Sequence, residues 1–430
     1  RTRNDGSNNW AVGPDQANDD ATLLANDPHL TLDNPTIWYF VEMHSESSES
    51  EEGDGLHVAG ASVPAVPGIV VGQNEEIAWG VTTARLDLAD AYQEELTSNG
   101  EAVKRNGGKI ELIEKDYTFE GLKGRTETVT FEWVPGHGPV VSKDTKAGTA
   151  VSIKWVAHKA GEDFNFLLPL MRSDSVDEAM EAVRPIRSIN QNWLFADAEG
   201  SIGWYPRGAI PKRPWASPQT PNWLPLPGDG SAEWQGTVSH ENAPKIKDPP
   251  NDLIATANND FDGSYTDGDA TNDGHTPWQE PPAPGNRHKR IVELIEAESG
   301  SHTVETMSQI QADTHSLQGE ALVPHILDAV DQSNVNLSDD AENVVTALRE
   351  WDYTCPTGLE GTDPENASKV SGPEAAASIG CSAFHVLLPQ LTDEVFGDEL
   401  DSLRNVSGIG DWDRLQAALV YVFADPGELE

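Results

Sequence analysis

The pattern of apolar residues changes near residue 287, and this change limits the folds open to the chain. Residues 126–134 alternate polar and apolar side chains, as a half-buried β-strand does. Residues 288–298 instead carry apolar side chains at helical spacing. Strands followed by helices are typical of an α+β protein and not of alternating β/α units. We therefore predict a β-rich core over residues 7–286 and a mainly helical portion over residues 287–430.

Local signals predict individual elements within the β-rich core. Residues 102–114 read as a hairpin, because their Asn-Gly-Gly sequence favours a tight turn between strands. Residues 192–205 read as a second hairpin across an Ala-Glu-Gly turn. A short helix is expected after Ser175, a good N-cap residue, and Pro185 is expected to end it.

The charge balance excludes two classes of partner. The chain has 72 Asp and Glu against 28 Lys and Arg, so its formal net charge is −44 at pH 7. Nucleic acid and anionic membrane surfaces are excluded, because both attract basic faces and repel this field. The charge favours adaptation to high salt, since molar salt shortens the Debye length to about 3 Å and screens self-repulsion. An ordinary acidic secreted protein is the alternative.

Two further features concern membranes and cysteines. The apolar run at residues 58–71 is interrupted by Pro and Gly and is too short to cross a bilayer, so we expect no membrane span. The two cysteines, Cys355 and Cys381, bracket a stretch rich in Pro, Gly and Ser. They either form one bridge or remain two separate thiols, and the sequence does not decide between these alternatives.

A set of ordered segments indicates the function. They are GSNNWAV (6–12), LLANDPHL (23–30), VPAVPGIVVGQNEEIAWGVTTARLDLAD (63–90), NQNWLFADAEGSIGWYPRGAIPKR (190–213), ATANND (255–260) and GNRHKRIVELI (285–295). In this order they resemble the penicillin acylase family of N-terminal-nucleophile hydrolases. The resemblance covers roughly residues 6–300, and several ordered segments are far more specific than any single motif.

The resemblance implies both a fold and a nucleophile. The fold would be α+β, with four αββα layers in which two stacked antiparallel sheets lie between helices. Ser7 would be the nucleophile, exposed when the protein cuts its own Gly6–Ser7 bond, and residues 1–6 would be a spacer remnant. A serine hydroxyl needs a base, and an N-terminal serine supplies its own α-amine, with a reference pKa of about 7.7–8.

The resemblance also implies four supporting catalytic residues. The backbone N–H of Thr83 and the side chain of Asn258 would donate to the oxyanion of the tetrahedral intermediate. His29 would orient the serine or tune the proton affinity of its amine and hydroxyl. Arg287 would orient Asn258 or a substrate carboxylate. Structural roles are the alternatives: a turn for Asn258, and a surface ion pair for Arg287.

By position, the acyl pocket would include Leu30, Val71 and Val81. These side chains are aliphatic where aromatic residues often lie in the family, which favours an aliphatic acyl group over phenylacetyl.

The resemblance further implies a structural Ca²⁺ ion, which prefers oxygen ligands. Asp87 and Asp90 would bind through their side chains, and Ala89 and Pro211 through their carbonyls. Asp269 is the nearest further aspartate by spacing. In so acidic a chain, a solvated acidic surface is the alternative for these aspartates.

We therefore predict a hydrolase that cleaves linear carboxamides of small-molecule substrates by acyl transfer through Ser7. An acyl-homoserine lactone acylase that quenches quorum sensing, or a lipopeptide acylase, is an alternative of the same class. A non-catalytic, calcium-stabilised acidic binding protein is the alternative from another class. The expected protein partner is an α subunit from the same precursor, and the resemblance favours an extracellular or cell-surface location.

Overall fold

The structure is a computed structural model that describes residues 6–31, 33–46, 55–217, 219–265, 278–280, 282–333, 335–356 and 372–400, with residues 416, 418, 419, 422 and 423. The described residues form two compact units, one that ends at Pro282 and one that begins at Ala283.

The first unit contains the β-structure, and its strands follow in chain order. They are β1 (Gly6–Val12), β2 (Leu23–His29), β3 (Tyr39–Ser45), β4 (Leu56–Ser62), β5 (Val71–Gln73), β6 (Ile77–Thr83), β7 (Ala89–Glu95), β8 (Ala102–Arg105), β9 (Gly108–Glu111), β10 (Ile113–Glu120), β11 (Thr126–Val134), β12 (Gly138–Asp144), β13 (Thr149–Trp155), β14 (Gln191–Asp197), β15 (Ile202–Arg207), β16 (Leu226–Pro227), β17 (Ile246–Lys247) and β18 (Leu253–Thr256).

These strands form four sheets in the described part of the chain. A seven-stranded sheet has the order β17-β15-β14-β6-β5-β4-β3, and a three-stranded sheet has the order β18-β1-β2. A six-stranded sheet has the order β10-β11-β12-β13-β7-β16, and β8 pairs with β9. Every pairing is antiparallel except the short one between β16 and β7.

The seven-stranded sheet is a middle layer, because both of its faces are buried at β14 and β15. On one face, Trp79, Trp193 and Phe195 pack in the main core against the helices α1 (Leu167–Met171) and α2 (Val176–Ala182). On the other face, Leu194 and Ala196 pack against residues of the three-stranded sheet such as Ala11. Full burial of a large apolar side chain contributes about 1.5–3 kcal/mol, so these two cores hold the layers together.

The predicted local elements of this unit are confirmed. Asn106 and Gly107 have φ values of +50° and +72°, as the two-residue turn between β8 and β9 requires. β14 pairs with β15 in the second predicted hairpin. The hydroxyl of Ser175 accepts from the N–H of Glu178 and caps α2, which ends at Ala182.

The second unit is helical where the structure describes it. Its helices are α3 (Asn286–Ala297), α4 (Val304–Gln311), α5 (Leu317–Gln332), α6 (Asp339–Glu350) and α7 (Pro373–Leu400). Trp351, Phe384 and Leu388 are buried in its core. Cys355 and Cys381 form a disulfide, which decides between the alternatives that the sequence leaves open.

The long helix α7 lies in the portion predicted to be mainly helical, but it is not predicted as an individual helix. By length and apolar composition alone, its residues Pro373–Asp398 would suffice to cross a membrane. One such helix is weak evidence for a span, because the core helix of a soluble protein meets the same criteria. The expectation of no membrane span rests on residues 58–71 and does not extend to this helix.

Candidate active site

Ser7 lies on the central strand of the three-stranded sheet. β1 pairs with β2 on one side and with β18 on the other. In this register Ser7 is opposite Pro28, and Gly6 is opposite His29. Ser7 is only 5% exposed. A serine on a paired strand is held more rigidly than a serine on a loop, which suits a group that must be aimed at a bond.

Asn258 connects Ser7 to the end of β6. The backbone N–H of Ser7 donates to Oδ1 of Asn258 at 2.8 Å. Nδ2 of Asn258 donates to the carbonyl oxygen of Thr83 at 2.9 Å. The structure therefore brings together three predicted site residues, Ser7, Thr83 and Asn258, although 251 positions separate the first from the last.

The backbone of Asn258 has an uncommon conformation. Its φ is +62°, in the left-handed region that Asn tolerates better than other non-glycine residues. Besides turns such as that at Asn106, backbone conformations of this kind cluster at functional sites, where the surrounding structure enforces them. Asn258 is buried beside Ser7, so its conformation serves to present the amide to β1 and β6.

The hydroxyl of Ser7 lies beside the bond that the sequence predicts to be cut. Its Oγ donates to the carbonyl oxygen of Gly6 at 2.7 Å. His29 ends β2 and is half-buried opposite Gly6. Thr83 ends β6 opposite Gln191, and its side chain is exposed while its carbonyl contacts Asn258.

The three proposed pocket residues lie in different surroundings. Val71 and Val81 are buried together in the main core between the seven-stranded sheet and α1 and α2. Leu30 follows β2 and is 37% exposed. Arg287 lies in the first turn of α3 and belongs to the second unit.

The two aspartates of the predicted calcium site share a buried arginine. Nε of Arg213 lies 2.9 Å from Oδ2 of Asp90, and its Nη2 lies 3.0 Å from Oδ1 of Asp87. All three side chains are buried. Burial raises the pKa of Asp87 to about 7, and the charge of Arg213 opposes this rise. With both carboxylates ionised, two carboxylates and one guanidinium leave a formal charge of −1 in this cluster.

The atoms around these aspartates fit a hard cation. Asn222 donates from Nδ2 to Asp87, and Trp234 donates from Nε1 to Asp90. Oδ1 of Asp90 and Oδ1 of Asn222 are buried without a hydrogen-bond partner among the described residues. Ca²⁺ takes carboxylate and amide oxygens, so the donor atoms and the residual negative charge both suit it.

Two of the other predicted calcium ligands lie on paired backbone. Ala89 begins β7 opposite Trp155, and Pro211 forms an isolated bridge with Thr237. Asp269 lies outside the described residues.

The sequence predictions missed three residues in these clusters. Asn26, Arg213 and Asn222 make the contacts that hold the predicted residues in place. Asn26 lies in the segment 23–30, and Arg213 ends the segment 190–213. Membership of those segments is the available signal. The bonds of Asn26 to Val81 and of Arg213 to Asp90 span more than 50 positions in sequence, and no local pattern reveals them.

Known proteins are similar to this chain in sequence and in fold. The family model for penicillin amidase matches residues 2–427. The penicillin acylase 2 proenzyme of Pseudomonas sp. strain SE83 is 30% identical over 371 residues, which cover 84% of this chain and 44% of that protein. The acyl-homoserine lactone acylase QuiP of Pseudomonas aeruginosa is 29% identical over 326 residues, which cover 72% of this chain and 36% of that protein. This chain thus spans less than half the length of either relative.

Among solved structures, a thermostable penicillin G acylase from Alcaligenes faecalis matches with a TM-score of 0.66 at 19% identity. The match covers 98% of this chain and 79% of that one. It confirms the predicted α+β fold of the N-terminal-nucleophile hydrolases. Since the family model matches nearly the whole sequence, the chain belongs to the penicillin amidase family.

Proposed function

We propose that this chain carries the catalytic centre of an amidohydrolase that cleaves linear carboxamides by acyl transfer to Ser7. One observation carries the proposal: Asn258 bonds both to the N–H of Ser7 and to the carbonyl of Thr83. Three distant segments thereby place a hydroxyl, an amide side chain and the end of a strand at one point. These are the groups that an acyl transfer needs.

The reaction would begin with cleavage of the chain itself. Oγ of Ser7, beside the Gly6 carbonyl, attacks the carbonyl carbon of Gly6, the hydroxyl proton passes to the Ser7 nitrogen, and the C–N bond to Ser7 breaks. Water hydrolyses the resulting ester, which leaves a carboxylate on Gly6 and a free α-amine on Ser7. The bond from this nitrogen to Oδ1 of Asn258 would then orient the amine.

With the amine free, substrate turnover follows the same chemistry. Oγ of Ser7 attacks the carbonyl carbon of the amide, and its proton passes to the Ser7 amine. The N–H of Thr83 and the side chain of Asn258 stabilise the oxyanion. The C–N bond breaks, the leaving amine takes the proton, and water releases the acid from the acyl-enzyme. His29, across the strand pair from Gly6, would orient the new terminus.

The test uses the full natural protein and its Ser7→Ala variant, analysed by intact mass, N-terminal sequencing and amide hydrolysis. We expect a new terminus at Ser7 in the wild type, and neither cleavage nor turnover in the variant. Ser62→Ala is the matched control, because Ser62 is also buried and its Oγ donates to a backbone carbonyl, that of Gly68, at 2.6 Å. An uncut, inactive wild type would favour the non-catalytic binding protein instead.

For the acyl group, we propose an aliphatic chain. The candidate pocket residues Leu30, Val71 and Val81 are all aliphatic, which suits an aliphatic acyl group. One relative is named as an acyl-homoserine lactone acylase, and others are named as penicillin acylases. The test compares kcat/KM for hydrolysis of two matched amides, one of an aliphatic acid and one of phenylacetic acid. A lipopeptide is the third substrate. A higher kcat/KM for the phenylacetyl amide would contradict this assignment.

A structural calcium ion is the second element of the proposal. Asp87 and Asp90 would hold it, and it would neutralise the remaining negative charge of the cluster with Arg213. We expect equilibrium dialysis to find one ion per chain, and chelation to lower Tm. Asp90→Asn should remove both effects; unchanged ion binding in this variant would exclude Asp90 as a ligand.

The proposed protein partner is an α subunit released from the same precursor. The relative of Pseudomonas sp. strain SE83 is named as a proenzyme, which agrees with processing by cleavage. Under denaturing conditions the processed natural protein should separate into two chains, whereas the Ser7→Ala variant should remain one.

A further inference from the structure

Asn26 joins the strand of the nucleophile to the strand that ends at Thr83. It lies in β2, opposite Asn9 of β1. Its Nδ2 donates to the carbonyl oxygen of Asn8 at 2.8 Å and to that of Val81 at 2.9 Å. Its Oδ1 accepts from the N–H of Val81 at 3.1 Å. One side chain therefore contacts both the residue after Ser7 and a residue two positions before Thr83.

The side chain of Asn26 acts on Val81 as a neighbouring strand would. β6 pairs with β14 along its length, whereas β5 is opposite only Ala78 and Trp79. Beyond β5, the N–H and carbonyl of Val81 bond to the amide of Asn26. Only an amide side chain offers a donor and an acceptor in the arrangement of a peptide group. A carboxylate keeps the shape but loses the donor.

Gly80 permits this close approach. A Cβ atom at Gly80 would lie 2.7 Å from Oδ1 of Asn9 and 2.9 Å from the Cβ of Asn26. These distances are too short for non-bonded atoms, so β6 or the two asparagines would have to move. Without a side chain at Gly80, the three-stranded sheet lies close enough to β6 for the amide of Asn26 to reach Val81.

Two asparagines therefore join the same pair of segments at neighbouring points. Asn258 joins Ser7 to Thr83, and Asn26 joins Asn8 to Val81. We propose that Asn26 is a positioning residue, which fixes the distance and angle between Ser7 and the oxyanion-binding end of β6. This inference rests on the proposed function of Ser7.

A positioning role predicts a particular kinetic effect. Misplacing a nucleophile by about 1 Å can reduce the rate about 100-fold, because the reacting atoms no longer align. The variant Asn26→Asp loses the donor to Asn8 and Val81. We expect it to lower kcat by about 10–100-fold with KM within about two-fold, since substrate binding does not depend on this alignment.

Asn74→Asp is the matched control. Asn74 precedes β6 at its other end and also donates from Nδ2 to two backbone carbonyls, those of Met171 and Ser173. Loss of these bonds should lower Tm to a similar extent, with kcat within about two-fold of the wild type. A second variant, Asn26→Ser, shortens the side chain so that the bonds to Val81 are lost without adding a charge.

The measurement is kcat per reactive Ser7, with the reactive fraction titrated by a slow acyl donor on the full natural protein. A kcat near the wild-type value in a folded Asn26→Asp or Asn26→Ser variant overturns the positioning role. An equal loss of kcat in Asn74→Asp also overturns the positioning role. The same conclusion follows if both Asn26 variants fail to fold while Asn74→Asp folds. Failure of the proposed function gives a different result, because the wild type would then show no more cleavage or turnover than Ser7→Ala.

Discussion

Two kinds of buried polar network hold the first unit together, and they differ in charge. The network around Ser7 consists of neutral groups. Oγ1 of Thr82 bonds to Oγ1 of Thr256, and Asn192 donates to Thr82 while it accepts from Trp204. With Asn26 and Asn258, these neutral hydroxyls and amides join β6 to the three-stranded sheet.

The networks attached to the six-stranded sheet are charged. Nδ1 of His137 lies 2.6 Å from Oε1 of Glu94, and its Nε2 lies 2.8 Å from Oε1 of Glu233. His137 and Glu94 are fully buried. In the second charged cluster, Arg213 lies between Asp87 and Asp90.

The difference shows how stability and catalytic geometry can be separated. A neutral network keeps its hydrogen bonds across a wide range of pH and salt, so it suits the group that must stay aligned. A buried charged network depends on an exact balance of partners, because an unpaired buried charge is costly. We therefore expect changes in the charged networks to affect stability, and changes in the neutral network to affect rate.

The largest effect is expected from Arg213→Met. This change leaves Asp87 and Asp90 buried without their cation, which should lower the free energy of unfolding by about 3–5 kcal/mol. Urea unfolding in chelator-treated buffer measures it. Arg184→Met is the control, because Arg184 pairs with Glu181 on the exposed face of α2 and should contribute less than about 1 kcal/mol. Similar losses in both variants would contradict the contrast between the networks.

The neutral network is tested by Asn258→Gly. Glycine adopts the φ of +62° without strain, so the change removes the amide and little else. We expect kcat to fall by about 100–1,000-fold, the usual effect of removing one oxyanion donor. Asn259→Ala is the neighbouring control, because the side chain of Asn259 bonds to Ala257 and Asp260 within its own turn. A larger loss in Asn259→Ala would mean that the oxyanion residue was assigned one position too early.

The sequence predicted the local elements well. Turn residues at 106–108 and the N-cap Ser175 act through neighbours within a few positions, so a short window contains all of the information. α7 is not predicted as an individual helix, because its apolar residues lie on all sides of the helix and give no clear amphipathic period.

For the candidate site, the residue types came from the resemblance, whereas the contacts required the structure. Asn26 and Val81 are 55 positions apart, and Ser7 and Asn258 are 251 apart. The bonds of Asn26 to Val81 depend on how two sheets stack, and the bond of Ser7 to Asn258 depends on the pairing of β1 with β18. Stacking and long-range pairing are set by the sum of many core contacts, not by any local pattern. The same reason explains why Arg213 was not recognised as the partner of Asp87 and Asp90.

A smaller effect is expected from Glu233→Gln, and it should depend on pH. The hydrogen bond from His137, with further help from Lys154, lowers the pKa of Glu233 to about 2. A lowered pKa stabilises the fold above the ordinary carboxyl pKa, and this contribution is lost as pH falls towards 2. Because Glu233 is partly exposed and Arg105 also lies 3.9 Å away, we expect about 1 kcal/mol near neutral pH.

Urea unfolding of Glu233→Gln and wild type at several pH values measures this difference. It should be constant above about pH 5 and should shrink as pH falls below that value. Glu95→Gln is the control, since Glu95 pairs with Lys104 on the exposed surface. A difference for Glu233→Gln that grows towards low pH would contradict the sign of the pKa shift.

The smallest effect on rate is expected from salt. A salt series compares the charged surface of the protein with the candidate active site. The chain has a formal net charge of −44, and repulsion among its carboxylates should weaken as the Debye length falls from about 8 Å at 0.15 M to about 3 Å at 1 M salt. Tm should therefore rise with salt. Because the Ser7 hydroxyl, the Thr83 N–H and the Asn258 amide carry no charge, kcat for an uncharged amide, measured above the pKa of the Ser7 amine, should change by less than about two-fold over the same range. If kcat rose in proportion to stability, the catalytic geometry would depend on the charged surface, and the separation between the two kinds of network would fail.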